Sequence, residues 1–100
     1  MKISFDFNGV LDTEQGMELA KQKMDEGNIV YIITALRPSD NVRRLAKELG
    51  IPLFRVHFTS GEDKWKTIQK LGIQEHYDNN QEQIDKINKF TSCKAILVNF

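Results

Sequence analysis

Cysteine is almost missing from this sequence: Cys93 is the only one. No disulfide can form within the chain, which fits a reducing compartment. An excess of either charge is missing too, with 14 basic residues against 14 acidic. That balance argues against a broad electrostatic surface for nucleic acid or membrane, although a local patch stays open. No apolar run approaches the ~20 residues of a membrane span. The N-terminus lacks the apolar core of a signal peptide. No repeat, low-complexity stretch or linker interrupts the chain. The expectation is a soluble, cytoplasmic, single globular domain over residues 1–100. It is large enough for a sheet with a helix layer on each face.

What is there alternates. Residues 2–8, KISFDFN, read as a strand in which Ile3, Phe5 and Phe7 alternate with Ser4 and Asp6. Residues 13–27 read as a helix, with Met17, Ala20 and Met24 on one face and Gly27 at the stop. Residues 28–34, NIVYIIT, form a β-branched run typical of a strand buried on both faces. A second helix over 39–50 follows Pro38 and ends at Gly50. A third strand over 53–59 sets Phe54, Val56 and Phe58 against Arg55 and His57. A helix over 62–72, a short strand over 74–80, a helix over 81–90 and a strand over 94–100 complete the order. Strict βα alternation with short loops predicts an α/β three-layer sandwich with a parallel five-stranded, Rossmann-like sheet. In such sheets ligands bind beyond the carboxyl ends of the strands.

Those ends carry chemistry. Strand 1 runs into Asp6 and Asn8, strand 2 into Thr34, and strand 4 into Asp78, Asn79 and Asn80, while Lys64 opens a helix. Two acids could hold Mg²⁺, which prefers oxygen ligands. A hydroxyl and an ammonium could hold a phosphoryl group. The set suits phosphoryl transfer to a carboxylate. A cation at a helix start opposes the helix dipole, so an anion is expected beside Lys64. Glu62 and Asp63 are rival anions, and Lys66 a rival cation.

In this order the motifs resemble the haloacid dehalogenase superfamily of phosphohydrolases over essentially the whole chain. The family's Asp-x-Asp-Gly-(Val/Thr)-Leu corresponds to Asp6-Phe7-Asn8-Gly9-Val10-Leu11, its strand-end Thr to Thr34, its helix-opening Lys to Lys64, and its first late acid to Asp78. The resemblance implies strand order 3-2-1-4-5 and a phosphatase acting through an aspartyl-phosphate on Asp6. It implies Thr34 and Lys64 on the phosphoryl oxygens, and Mg²⁺ held by Asp6, the Asn8 carbonyl, Asp78 and Asn79. Gly9 would allow the tight turn after the nucleophile.

Two positions depart from the family pattern. Asn8 replaces the general acid and Asn79 replaces a second late acid, so two formal negative charges are gone. The resemblance then implies a slow enzyme, or a regulatory phosphate-binding protein on the same scaffold. A receiver domain is the third reading, disfavoured because its phosphorylated Asp sits on the middle strand. The segments between Asp6 and Thr34, and between Thr34 and Lys64, leave no room for an inserted cap. An open site suits a bulky substrate, such as a nucleic-acid end or a phosphoprotein, or a small one with a lid supplied in trans. Arg37, Arg55 and His57 read as solvated polar residues, His76 as structural and Trp65 as packed. Cys93 has no catalytic assignment.

Overall fold

The computed structural model describes residues 1–100. Five strands form one parallel sheet in the order β3-β2-β1-β4-β5. They are β1 (Lys2–Phe5), β2 (Ile29–Thr34), β3 (Val56–Phe58), β4 (Glu75–Asp78) and β5 (Lys94–Leu97), interleaved with α1 (Glu14–Asp25), α2 (Asp40–Leu49), α3 (Trp65–Leu71) and α4 (Gln81–Phe90). No helix is long and apolar enough to cross a membrane.

The layers follow from strand parity. Ile3 and Phe5 of β1, Val30 and Ile32 of β2 and Tyr77 of β4 point to one face. There they meet Ala20 of α1 and Val42, Ala46 and Leu49 of α2. Phe5 stacks on Tyr77 with ring centroids 4.9 Å apart. Ile33 and Ala95 point the other way, onto Ile68 of α3 and Ile84 and Ile87 of α4. The sheet is therefore buried on both faces, and β2 reads as an unbroken apolar run for that reason.

Four sequence boundaries are corrected, among them the last strand, which ends at Leu97 rather than at Phe100. The third strand is only three residues long, because Leu53–Arg55 after Pro52 forms a 3₁₀ turn. Val56 and Phe58 reach the core, while Phe54 is 74% exposed and lies under the Arg55 guanidinium. The first strand ends at Phe5, so Asp6 lies just past it. Helix α3 begins at Trp65, after a loop in which Thr59 Oγ1 donates to the Glu62 carbonyl. Ser60 and Gly61 both take left-handed conformations in that loop (φ 52° and 87°).

Candidate functional site

Register sets the site. Phe5 pairs with Tyr77 across β1 and β4, so Asp6 and Asp78 are level with each other. The Asp6 N–H donates to the Tyr77 carbonyl at 2.9 Å, which holds the chain extended for one more residue. Asp6 therefore keeps the strand's alternation and faces the α3/α4 side, as does Asp78. On the other flank Phe5 pairs with Ile32, which carries the strand end at Thr34 one residue higher.

Past Asp6 the chain turns sharply through Phe7–Leu11. Gly9 is left-handed (φ 75°), and a Cβ there would overlap the Asn79 amide. The turn needs glycine both for its φ and for the close approach of the loop after β4. Asp12 Oδ1 accepts from the Gly9 N–H at 2.7 Å and closes the turn. Gly16 is a second contact point: a Cβ there would overlap the Val10 carbonyl oxygen. Helix α1 can sit this tightly under the turn only because it presents no side chain. Thr13 caps it, accepting from the Gly16 N–H and donating to the Val10 carbonyl.

Lys64 enters from the start of α3. Its Nζ donates to Asp6 Oδ1 at 2.9 Å and to Asp78 Oδ2 at 2.7 Å. The anions beside this cation are thus Asp6 and Asp78. Asp63 instead pairs with Lys86 at the surface, and Lys66 is exposed. Gln83 of α4 accepts from the Lys64 backbone N–H and donates to Asp63, pinning the helix start. Asn80 caps α4, and its backbone N–H donates to Asp78 Oδ1 at 3.1 Å.

The two carboxylates share one ammonium unequally. Burial pushes Asp78 up, but hydrogen bonds from His76 and the Lys64 charge outweigh it and hold its carboxyl well below the usual range. Burial and the neighbouring Asp78 charge push Asp6 up to about 6, despite Lys64. The Asp6 side chain is 10% exposed and that of Asp78 fully buried, so Asp6 is the acid on the open side.

The cleft is about 490 Å³ and is lined by Asp6, Asn8, Thr34, Lys64, Asp78 and Asn79, among others. All six sequence-expected positions therefore meet in one place. Thr34 is buried and its Oγ1 accepts from the Leu36 N–H at 3.3 Å. Asn8 and Asn79 are exposed at the mouth. Between Asp6 and Thr34 lie only the turn and α1, and between Thr34 and Lys64 only α2, a 3₁₀ turn and β3. No inserted unit covers the cleft.

Other residues sort differently. Trp65 packs on Phe90, with centroids 4.9 Å apart. Arg37 is exposed. His57 is half-buried beside Tyr31 rather than solvated, and its Nε2 is buried without a partner. The cause is its place on β3, where it pairs with Ile33 of β2. Burial pushes the Cys93 thiol up to about 12, so it is no nucleophile. His76 is fully buried, as a structural residue should be, yet it touches Asp78 Oδ2 at 2.8 Å. That contact had a signal in the sequence. Ser4 precedes Asp6 by two residues and His76 precedes Asp78 by two, so strand parity puts all four on one face.

The donor set fits a hard divalent cation such as Mg²⁺. It is all oxygen, and two carboxylates against one ammonium leave one negative charge over. No group of three or more His, Cys, Asp or Glu side chains with metal-site geometry is present. A metal here would rest on two side-chain carboxylates and on neutral oxygens. No family model matches the chain, and no curated protein matches it by sequence.

Proposed function

We propose that this chain is a Mg²⁺-dependent phosphohydrolase of the haloacid dehalogenase type that works through an aspartyl-phosphate on Asp6. The observation that carries the reading is the buried Lys64 ammonium between Asp6 and Asp78, beyond the carboxyl ends of β1 and β4. Motif order along the chain and the 3-2-1-4-5 sheet support it.

In this reading an Asp6 carboxylate oxygen attacks phosphorus, and the bond to the leaving oxygen breaks with its electron pair. Lys64 and the Thr34 hydroxyl hold the phosphoryl oxygens as charge moves onto them. Water then attacks the phosphorus of the acyl phosphate, releasing inorganic phosphate and the Asp6 carboxylate. When bound, Mg²⁺ supplies charge neutralisation at the phosphoryl group. Asp6, Asp78, the Asn8 carbonyl and Asn79 would hold it. Asn8 has no carboxyl proton to give, so the leaving group must depart as an anion or take its proton from water. Good leaving groups are favoured, and turnover is slow.

The cleft lining also bears on the substrate. Lys64 is its only cation, against Asp6, Asp78 and Glu62. This favours a small monoester over a polyanionic nucleic-acid end, with a lid supplied in trans as the way to exclude water. The reading includes a cytoplasmic setting, supported by the single unpaired Cys93.

Hydrolysis of an aryl phosphate with and without Mg²⁺, in the wild type and in Asp6→Ala, tests the proposal. Turnover should need both the metal and Asp6, and calorimetric Mg²⁺ binding should disappear in Asp78→Ala. Absent turnover, with Mg²⁺ and phosphate analogues still bound, would favour the second reading, a regulatory phosphate-binding protein. The neutral Asn8 and Asn79 at the mouth are the observation on its side.

A further inference from the structure

Behind the two acids lies a hydrogen-bonded chain that the reaction above does not use. Ser4 and His76 stand directly opposite each other across β1 and β4, so both side chains point to the α3/α4 face. Ser4 Oγ lies 2.7 Å from His76 Nδ1, and His76 Nε2 lies 2.8 Å from Asp78 Oδ2. Ser4, His76 and Asp78 are all fully buried. Burial favours the neutral imidazole. An ionised carboxylate only accepts, so Nε2 carries the ring proton and donates it to Asp78. Nδ1 is then bare and accepts from the Ser4 hydroxyl. Each ring nitrogen of His76 then has one role and one partner.

Asp78 receives three donors: the Asn80 N–H on Oδ1, and Lys64 and His76 on Oδ2. Lys64 reaches it on a long flexible stem, which cannot by itself fix a carboxylate. His76 is a rigid ring held at both nitrogens between two strands. We propose that His76 is a positioning residue, which presents the Asp78 carboxylate to the cleft in one orientation through its Nε2–H, with Ser4 locking the ring. Because Asp78 and Asp6 share Lys64, the orientation set by His76 extends through that ammonium to the nucleophile. A histidine that merely filled space here would be replaceable by an apolar side chain of similar length, whereas one that acts as a donor would not.

The proposal rests on the functional reading only in naming Asp78 as an oxygen ligand, and its test separates the two. His76→Gln keeps an N–H close to the Nε2 position, and His76→Met keeps bulk without a donor. Calorimetric Mg²⁺ affinity should be largely retained in Gln and fall about 10–100-fold in Met, the usual effect of losing a partner behind a metal ligand. Equal affinities in Gln and Met would overturn the proposal. If the wild type binds no Mg²⁺, the metal reading fails and positioning is read from the Lys64 ammonium protons by nitrogen-detected NMR. These should be protected in the wild type and Gln and lost in Met, and their survival in Met would overturn it. If Met does not fold, the ring itself decides. Wild-type ¹⁵N shifts should report the Nε2–H tautomer, and an Nδ1–H tautomer would rule the arrangement out.

Discussion

Lys64 Nζ lies 2.7 Å from Asp78 Oδ2, although the lysine belongs to the helix layer and the aspartate to the sheet. Both side chains are out of solvent, so neither charge has water to fall back on. Removing one member of a buried pair leaves the other uncompensated and typically costs about 3–5 kcal/mol. Lys64→Met leaves two carboxylates facing each other. Its stability loss, measured by urea unfolding, should be in that range at pH 8 and smaller at pH 4.5, where Asp6 can take up a proton. Equal losses at both pH values would mean that the lysine stabilises by packing alone.

Asp6 makes stability depend on pH in the opposite sense to an ordinary ion-paired carboxylate. Its folded-state value is raised from 3.8 to about 6, so folding favours the protonated form. Its contribution is complete below pH 3.8 and is lost as pH rises through about 6. Asp78, whose value is lowered, contributes above the ordinary carboxylate range and loses that contribution as pH falls. The Asp6 shift corresponds to about 3 kcal/mol in all, of which roughly 2.5 kcal/mol falls between pH 4 and 8. Without divalent cations, Asp6→Asn should melt close to the wild type at pH 4 and roughly 10 °C above it at pH 8. A constant difference across this range would contradict the assignment.

Gly16 separates helix propensity from tertiary fit. Alanine in a helix interior is favoured over glycine by about 1 kcal/mol. A Cβ at this position would overlap the Val10 carbonyl oxygen, which is backbone and cannot swing aside. Overpacking of this kind costs about 1–3 kcal/mol. Gly16→Ala should therefore be destabilising in urea and should shift the amide resonances of Phe7–Leu11. A stabilised variant with unchanged resonances would show that α1 has room.

Asn8 sets the leaving-group preference of the proposed reaction. A positioned general acid contributes about 10²–10⁴-fold, and most where the leaving group is a poor one. Asn8→Asp should raise turnover of alkyl phosphates by a factor in that range and of aryl phosphates far less. Steady-state rates on matched alkyl and aryl esters give the ratio. If both substrates stay at background while phosphate analogues bind, the regulatory reading takes over.

Much was legible in the sequence because its signals are local. The apolar run of β2 marks a strand buried on both faces, and the end of β1 delivers an acid to an Asn-Gly turn. Gly50 marks the stop of α2, where the structure has it as a left-handed cap. Alternating elements then permit little besides a parallel sheet, and its edge collects Asp6, Thr34, Lys64 and Asp78. The exposure of Phe54 was illegible, because a residue that continues the strand alternation leaves the core only once Pro52 has turned the chain.

The sequence by itself determined which elements form and which side chains stand at their ends, since periodicity and turn chemistry act within a few residues. Only the tertiary structure decided how those side chains are shared. Register across β1 and β4 makes Asp6 level with Asp78 and sets Ser4 against His76. The packing of α3 and α4 on that face brings Lys64 between the two acids. Burial pushes both acids up, but the His76 hydrogen bond and the Lys64 charge keep Asp78 firmly ionised while Asp6 stays raised to about 6, an unequal division of one ammonium. That division depends on desolvation and on distances of a few ångströms between segments far apart in the chain, which no local pattern encodes.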